Sequence, residues 1–124
     1  MSTLDKYLAI RELVNATEKK GLVYGASFSE FVILRAIEAG GVNGIRRVDL
    51  AERVSLSISG VTRALAPLEK LGYIEHLEED LDARVRKVKL TKSGLELFRD
   101  IEKDVERLMS GIAADISQLA INLK

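Results

Sequence analysis

"LAERVSLSISGVTRALAPLEKLGYIEHLEEDLDARVRKVKLTKSG", residues 50–94, is the stretch on which the fold turns. Val48, just upstream, joins Leu50, Ala51 and Val54 at helical spacing, which predicts a short helix over 48–54. A few residues on, Ser57 or Ser59 supplies an N-cap for a second helix, which runs to about Leu71 and stops at Gly72. Two short helices joined by a tight turn, the second ending in glycine before an apolar strand, form a helix-turn-helix pattern. Residues 73–77 and 85–90 are rich in apolar and β-branched positions, and the polar stretch 78–84 separates them. That arrangement predicts a two-stranded β-hairpin with a charged tip.

Upstream, residues 4–17 space Leu4, Tyr7, Leu8, Ile10, Leu13, Val14 and Thr17 as an amphipathic helix, with Gly21 and Gly25 as its stop. "SFSEFVILRAIEAGG" sets Ser27 three residues before Glu30, a capping-box pattern, and predicts a helix that ends at Gly40-Gly41. The linker "VNGIRR" reads as loop. Beyond Lys92, Phe98, Ile101, Val105, Leu108 and Ile112 recur at three and four residues among charged neighbours, a seam that buries against another helix. Gly111 leaves two readings open, a break or a helix continuous to about Leu123. The expected class is mainly α with a small β-hairpin wing (α+β): a winged helix-turn-helix flanked by terminal helices, in one domain spanning 1–124.

Composition excludes several functions. The sequence has no cysteine, so disulfides, thiolate metal sites and cysteine nucleophiles are ruled out. It has a single histidine, no phosphate-cradling glycine loop and no metal-ligand spacing. Ser55, Ser57 and Ser59 have no base within their motif, so an enzyme, a metal site and a cofactor are not expected. Charges at Asp5, Lys6, Arg11 and Glu12 interrupt the N-terminal apolar positions, which argues against a signal peptide or membrane span and for a cytoplasmic protein without membrane contact. The formal net charge is zero, so local patches decide what the surface attracts. An acidic cluster, Glu78, Glu79, Asp80 and Asp82, is followed from Arg84 to Lys92 by five basic residues and no acid. That basic run is either a phosphate-facing arm or a strand edge guarded by lysine against aggregation.

The order of elements and the residues themselves resemble the MarR family of bacterial transcription regulators. The matching motifs are "LAE" at Leu50, S-x-S-x-V-T-R from Ser57 to Arg63, "LEKLGYI" from Leu68, D-x-R at Asp82 to Arg84, and "LTKSG" from Leu90 to Gly94. Detailed resemblance covers about residues 27–98; the terminal helices match in position and amphipathic character only. It implies a DNA-binding lobe over 27–91 and a dimerisation region over 3–20 and 92–124. It further implies a two-fold homodimer, most often a repressor, that grips a pseudo-palindromic operator in double-stranded DNA and often releases it on binding a small-molecule effector. The dimerisation residues expected from the seam and the resemblance are Leu4, Leu8, Phe98, Ile101, Val105, Leu108 and Ile112. Two departures stand out. His76 falls where family members often carry arginine, and only 30 residues follow Gly94, fewer than usual.

Physical chemistry supports the DNA reading separately. A helix whose first turn carries short hydroxyls and an arginine enters the major groove without steric conflict. Ser57, Ser59, Gly60, Thr62 and Arg63 fit that requirement, and Arg63 can bond a guanine edge bidentately or else touch phosphate. Arg84, Arg86 and Lys87 form the basic arm, with Arg84 reaching a minor groove and Asp82 organising the wing by fixing Arg84 or accepting loop amides. Pro67, inside the second helix, either kinks it or is tolerated there. His76 reads as a surface histidine, with pH sensing as the alternative. Tyr7, Tyr24, Phe28 and Phe31 either line a ligand pocket or belong to the core. A winged-helix protein-interaction module with little DNA binding is the competing class, favoured by the neutral charge and the acidic hairpin residues.

Overall fold

The computed structural model describes residues 2–19, 27–77 and 86–122. In chain order the elements are α1 (Thr3–Lys19), α2 (Phe28–Ala39), a 3₁₀ turn (Gly41–Asn43), β1 (Ile45–Arg46), α3 (Arg47–Val54), α4 (Ile58–Lys70), β2 (Ile74–Leu77), β3 (Lys87–Leu90), α5 (Lys92–Ser110) and α6 (Ala113–Asn122). The expected class, mainly helical with a small β wing, is the one found. Gly21, Tyr24 and Gly25 lie outside the described residues, as does the wing tip with Asp82 and Arg84.

One sequence reading needs correction, and one left open is decided. "VNGIRR" is not plain loop: it forms the 3₁₀ turn and then β1, so the wing is a three-stranded antiparallel sheet ordered β1-β3-β2. Ile45 pairs with Val88, Ile74 with Leu90, and His76 also with Val88. Gly44 makes the extra strand feasible. Its φ is +73°, and a Cβ there would sit 3.0 Å from both the Val88 carbonyl oxygen and Leu77 Cδ1, so only glycine lets β1 lie this close to β3. The open question at Gly111 is resolved as a break, with α5 closing at Ser110 and α6 starting at Ala113. By contrast, α4 runs through Pro67 to Lys70.

The chain divides into two compact units, residues 29–100 and residues 1–28 with 101–124. In the first, α2 buries Phe31, Ile33, Leu34, Ala36 and Ile37, and it is joined in the core by Leu50 of α3, Val61 and Leu65 of α4, Val88 of β3 and Phe98 of α5. Each large apolar side chain so buried contributes about 1.5–3 kcal/mol. Phe31 and Phe98 stack with ring centroids 5.7 Å apart. In the second unit, α1 leaves Leu4, Tyr7, Leu8 and Val14 exposed. Leu13, Val14, Thr17, Phe28, Met109, Ile112 and Ile116 line an apolar groove of about 160 Å³ there. Among the described residues, no helix is long and apolar enough to cross a membrane.

Candidate nucleic-acid interface

The turn between α3 and α4 is closed by Ser55 in the left-handed conformation at φ +58°, and the Leu56 N–H donates to the Ala51 carbonyl at 2.9 Å. Ser57 then caps α4: its hydroxyl accepts from the Gly60 N–H at 3.0 Å. Of the two serines, Ser57 is therefore the cap. Val61, Leu65 and Leu68 point into the core, while Ser59, Thr62, Arg63 and Ala66 lie on the exposed side of α4. Among the described residues Arg63 has no hydrogen-bond or ion-pair partner, so its guanidinium fork is available to an external acceptor.

On the wing, Arg86 and Lys87 are half-buried at the start of β3. The Arg86 carbonyl accepts from the Arg47 N–H at 3.2 Å, which anchors the strand to the start of α3. Glu75 on β2 and Lys89, its register partner on β3, form an ion pair at 3.2 Å. Arg46, just before α3, grips Asp49 with Nε at 2.8 Å and Nη2 at 3.1 Å, and this hydrogen bond holds the Asp49 carboxyl below its ordinary value.

Beside the exposed face of α4 sits a partly buried polar cluster that the sequence reading missed. Arg47, at the first position of α3, is buried, and its guanidinium donates to Thr62 Oγ1 at 3.3 Å and to His76 Nε2 at 3.0 Å. The same His76 nitrogen lies 2.9 Å from Glu69 Oε2. His76 is thus not a surface residue: its side chain is only 13% exposed, because β2 turns it inward against α3 and α4. Burial lowers the Arg47 pKa, the nearby Arg86 charge adds to that, and Glu69 acts the other way. The only sequence signal for Arg47 was a pair of arginines just before a helix start. Its partners lie 15 and 29 residues further along the chain, beyond any local pattern.

The residues expected at a dimer seam fall into two groups. Phe98, Ile101 and Val105 are buried within the chain itself, Phe98 against Phe31, and have almost no surface to offer a second copy. Leu4 and Leu8 are 64% and 45% exposed, and Leu108 and Ile112 are intermediate.

A capped, solvent-facing helix set beside a β wing defines a winged helix-turn-helix. Residues 30–75 match the family described as winged helix-turn-helix DNA-binding. Among curated relatives, the HTH-type transcriptional regulator SarZ of Staphylococcus epidermidis is 29% identical over 116 residues, covering 94% of this chain and 69% of that protein. Two solved structures share the fold. A DNA complex of MepR from S. aureus superposes with a TM-score of 0.79 at 17% identity, covering 94% of this chain and 92% of that one. A mutant of MarR from E. coli superposes with a TM-score of 0.72 at 22% identity, covering 93% of this chain and 90% of that one. The chain carries a winged helix-turn-helix and is similar to transcriptional regulators built on it. Its fold is the one seen in the MepR and MarR structures.

Proposed function

We infer that the chain is a sequence-specific DNA-binding repressor, active in the cytoplasm as a homodimer on an inverted-repeat operator and released by a small-molecule effector. It carries no enzymatic role. The observation that carries the DNA reading is the exposed face of α4, where Ser59, Thr62 and Arg63 stand clear of a core formed by Val61, Leu65 and Leu68. The likeness to a structure solved with DNA supports the same reading.

Each residue has a distinct task in this reading. Arg63 bonds a base edge, ideally guanine, for about 1–3 kcal/mol of discrimination. Thr62 already receives an N–H from Arg47, so toward DNA it acts as a donor through its own hydroxyl hydrogen. Ser57 fixes the start of the helix, and Gly60 keeps the approach to the groove open. Arg86 and Lys87, with Arg84 beyond them, contact phosphates, and Asp82 holds the tip. The lobe over 27–91 and the helices over 3–20 and 92–124 work as one domain, and Leu4 and Leu8 on α1 join two copies.

Selection of bound duplexes from a random pool at moderate salt tests the proposal. A two-fold symmetric motif is expected, with half-sites about one helical turn, about 34 Å, apart. Recovery of no motif by a folded protein would reject sequence-specific binding and favour the protein-interaction module.

A further inference from the structure

His76 Nε2 is shared by two partners that make incompatible demands on it. Arg47 Nη2, at 3.0 Å, can only donate, so it needs a bare Nε2; the Glu69 carboxylate, at 2.9 Å, can only accept, so it needs an N–H there. One nitrogen cannot meet both needs at once. His76 Nδ1 and Arg47 Nε are buried without hydrogen-bond partners among the described residues, so neither group can turn to a second contact nearby.

Burial decides which partner prevails in the neutral ring. Glu69 is half exposed and finds water when released. Arg47 is buried, and its other side-chain acceptor is Thr62 Oγ1. Losing Nε2 would leave a buried charged donor unsatisfied, which is the costlier loss. The neutral imidazole therefore holds Arg47 and carries its own proton on Nδ1. Protonation reverses the choice. Nε2 then bears a hydrogen directed at Glu69, Arg47 loses that acceptor, and two cations face each other with the Arg86 charge acting on Arg47 as well. Lys87 and Lys89 flank Val88, the strand partner of His76, but alternation along β3 turns them to the opposite face of the sheet, where Lys89 is bound to Glu75.

We propose that His76 is a positioning residue whose single nitrogen couples the wing to the reading helix, holding Arg47 when neutral and Glu69 when protonated. In the neutral state the chain of contacts β2–His76–Arg47–Thr62 fixes the DNA-facing half of α4. In the protonated state that chain is cut, and the tie moves to Glu69, seven residues further along α4 and away from its reading end. Acid favours the protonated ring, so discrimination between DNA sequences weakens as pH falls. Total affinity is the wrong measure, because the added positive charge strengthens phosphate attraction for every sequence alike.

The proposal rests on the DNA reading above, and its test is built to fail separately. His76 is the only histidine, so in the 15N-labelled full chain one imidazole spectrum reports the proton on each ring nitrogen without assignment. At alkaline pH the expected state is a bare Nε2 with the proton on Nδ1. A neutral ring protonated on Nε2 would mean that Glu69 prevails throughout, and would overturn the coupling. In the second measurement, affinity for a selected duplex is divided by affinity for a scrambled one at constant ionic strength, from the alkaline pH at which the ring is neutral to the acid pH at which the spectrum shows it protonated. The wild-type ratio is expected to fall by about tenfold on acidification, the scale of one lost hydrogen bond to a charged group. H76Q supplies an amide oxygen for Arg47 and an N–H for Glu69 at every pH, so its ratio should stay level, while H76A should be low throughout. A wild-type ratio that stays level as the imidazole titrates, or an H76Q ratio that falls with the wild type's slope, would overturn the proposal. If no duplex binds, the DNA reading fails, and the imidazole spectra of the free protein still decide which partner His76 holds.

Discussion

Gly94 has room for a hydrogen and nothing more. A Cβ there would lie 1.9 Å from the Tyr73 carbonyl oxygen and 2.8 Å from its carbon, both rigid backbone. The crowding follows from how α5 leaves the wing: Thr91 N–H donates to the Tyr73 carbonyl at 3.1 Å, Thr91 Oγ1 donates to the Gly72 carbonyl at 2.6 Å, and Gly94 N–H donates to that same oxygen of Thr91 at 3.1 Å. The "LTKSG" motif is therefore a junction that locks the end of β3 and the start of α5 to the turn after α4. Gly94→Ala should destabilise the fold by about 1–3 kcal/mol, the range for forced overpacking, measurable as a lower urea midpoint at unchanged slope. An unchanged midpoint would show that the junction is looser than these distances. Arg63 makes a contrasting case, since it bonds nothing among the described residues. Arg63→Ala should leave stability within about 0.5 kcal/mol and relax base preference at one position by about 1–3 kcal/mol. Lys87→Ala should instead weaken all duplexes alike and reduce the salt slope by roughly one. A uniform loss from both variants would remove Arg63 from the base edge. The exposed place of Arg63 on the first turns of α4 was legible from sequence, because a cap and helical spacing are local signals. Arg47 and His76 were not, since their meaning depends on contacts between α3, α4 and β2 that no helical or strand period encodes.

At the scale of elements, legibility follows the length of the pattern. The longer helices were readable because apolar spacing repeats over three or more turns, and both ends of α4 were readable from a capping serine, Ser57 or Ser59, and from Gly72, because capping chemistry is local. β1 was not, because two residues carry no period, and the strand exists only through pairing with β3 some 40 residues away. Gly111 likewise could not be read either way, since an isolated glycine in a helical pattern is tolerated in some contexts at about 1 kcal/mol. The start of α3 offers a test tied to pH. Asp49 lies in its first turn, where a carboxylate complements the helix dipole, and the Arg46 hydrogen bond lowers its pKa from an ordinary 3.8. A depressed folded-state value means that the ionised form is favoured by folding. This contribution is fully present above the ordinary value and is lost as pH falls through the lower one. Asp49→Asn should therefore lower Tm at neutral pH, and its difference from wild type should shrink as pH drops below about 4. A difference independent of pH would assign the loss to packing, not to the ion pair.

On the scale of the whole molecule, neutrality and DNA binding are compatible because charges are sorted locally. Long-range attraction is weak at zero net charge, so the DNA binding proposed above calls for short contacts and for the two lobes of the proposed dimer acting together. The burial of Phe98, Ile101 and Val105 bears on how two copies meet. Those side chains are buried within the chain, whereas Leu4, Tyr7, Leu8 and Val14 on α1 remain in solvent, as do Ile116 and Ile121 on α6, so we propose the exposed side of α1 as the surface for a second copy. Apolar spacing announced the seam on α5, but spacing alone does not distinguish burial within a chain from burial between chains. The expected wild-type mass by light scattering at micromolar concentration is that of two chains. The double substitution Leu4→Glu, Leu8→Glu places charges on exposed positions, so it should leave helical content intact while reducing the mass to one chain. Its affinity for a duplex with two half-sites should then fall toward that for a single half-site, a loss of about 10²–10⁴, because the second lobe no longer benefits from effective concentration. A dimeric double variant would move the interface off this part of α1. A monomer that keeps full affinity would instead show that one lobe suffices, and the inverted repeat expected of the operator would lose its physical basis.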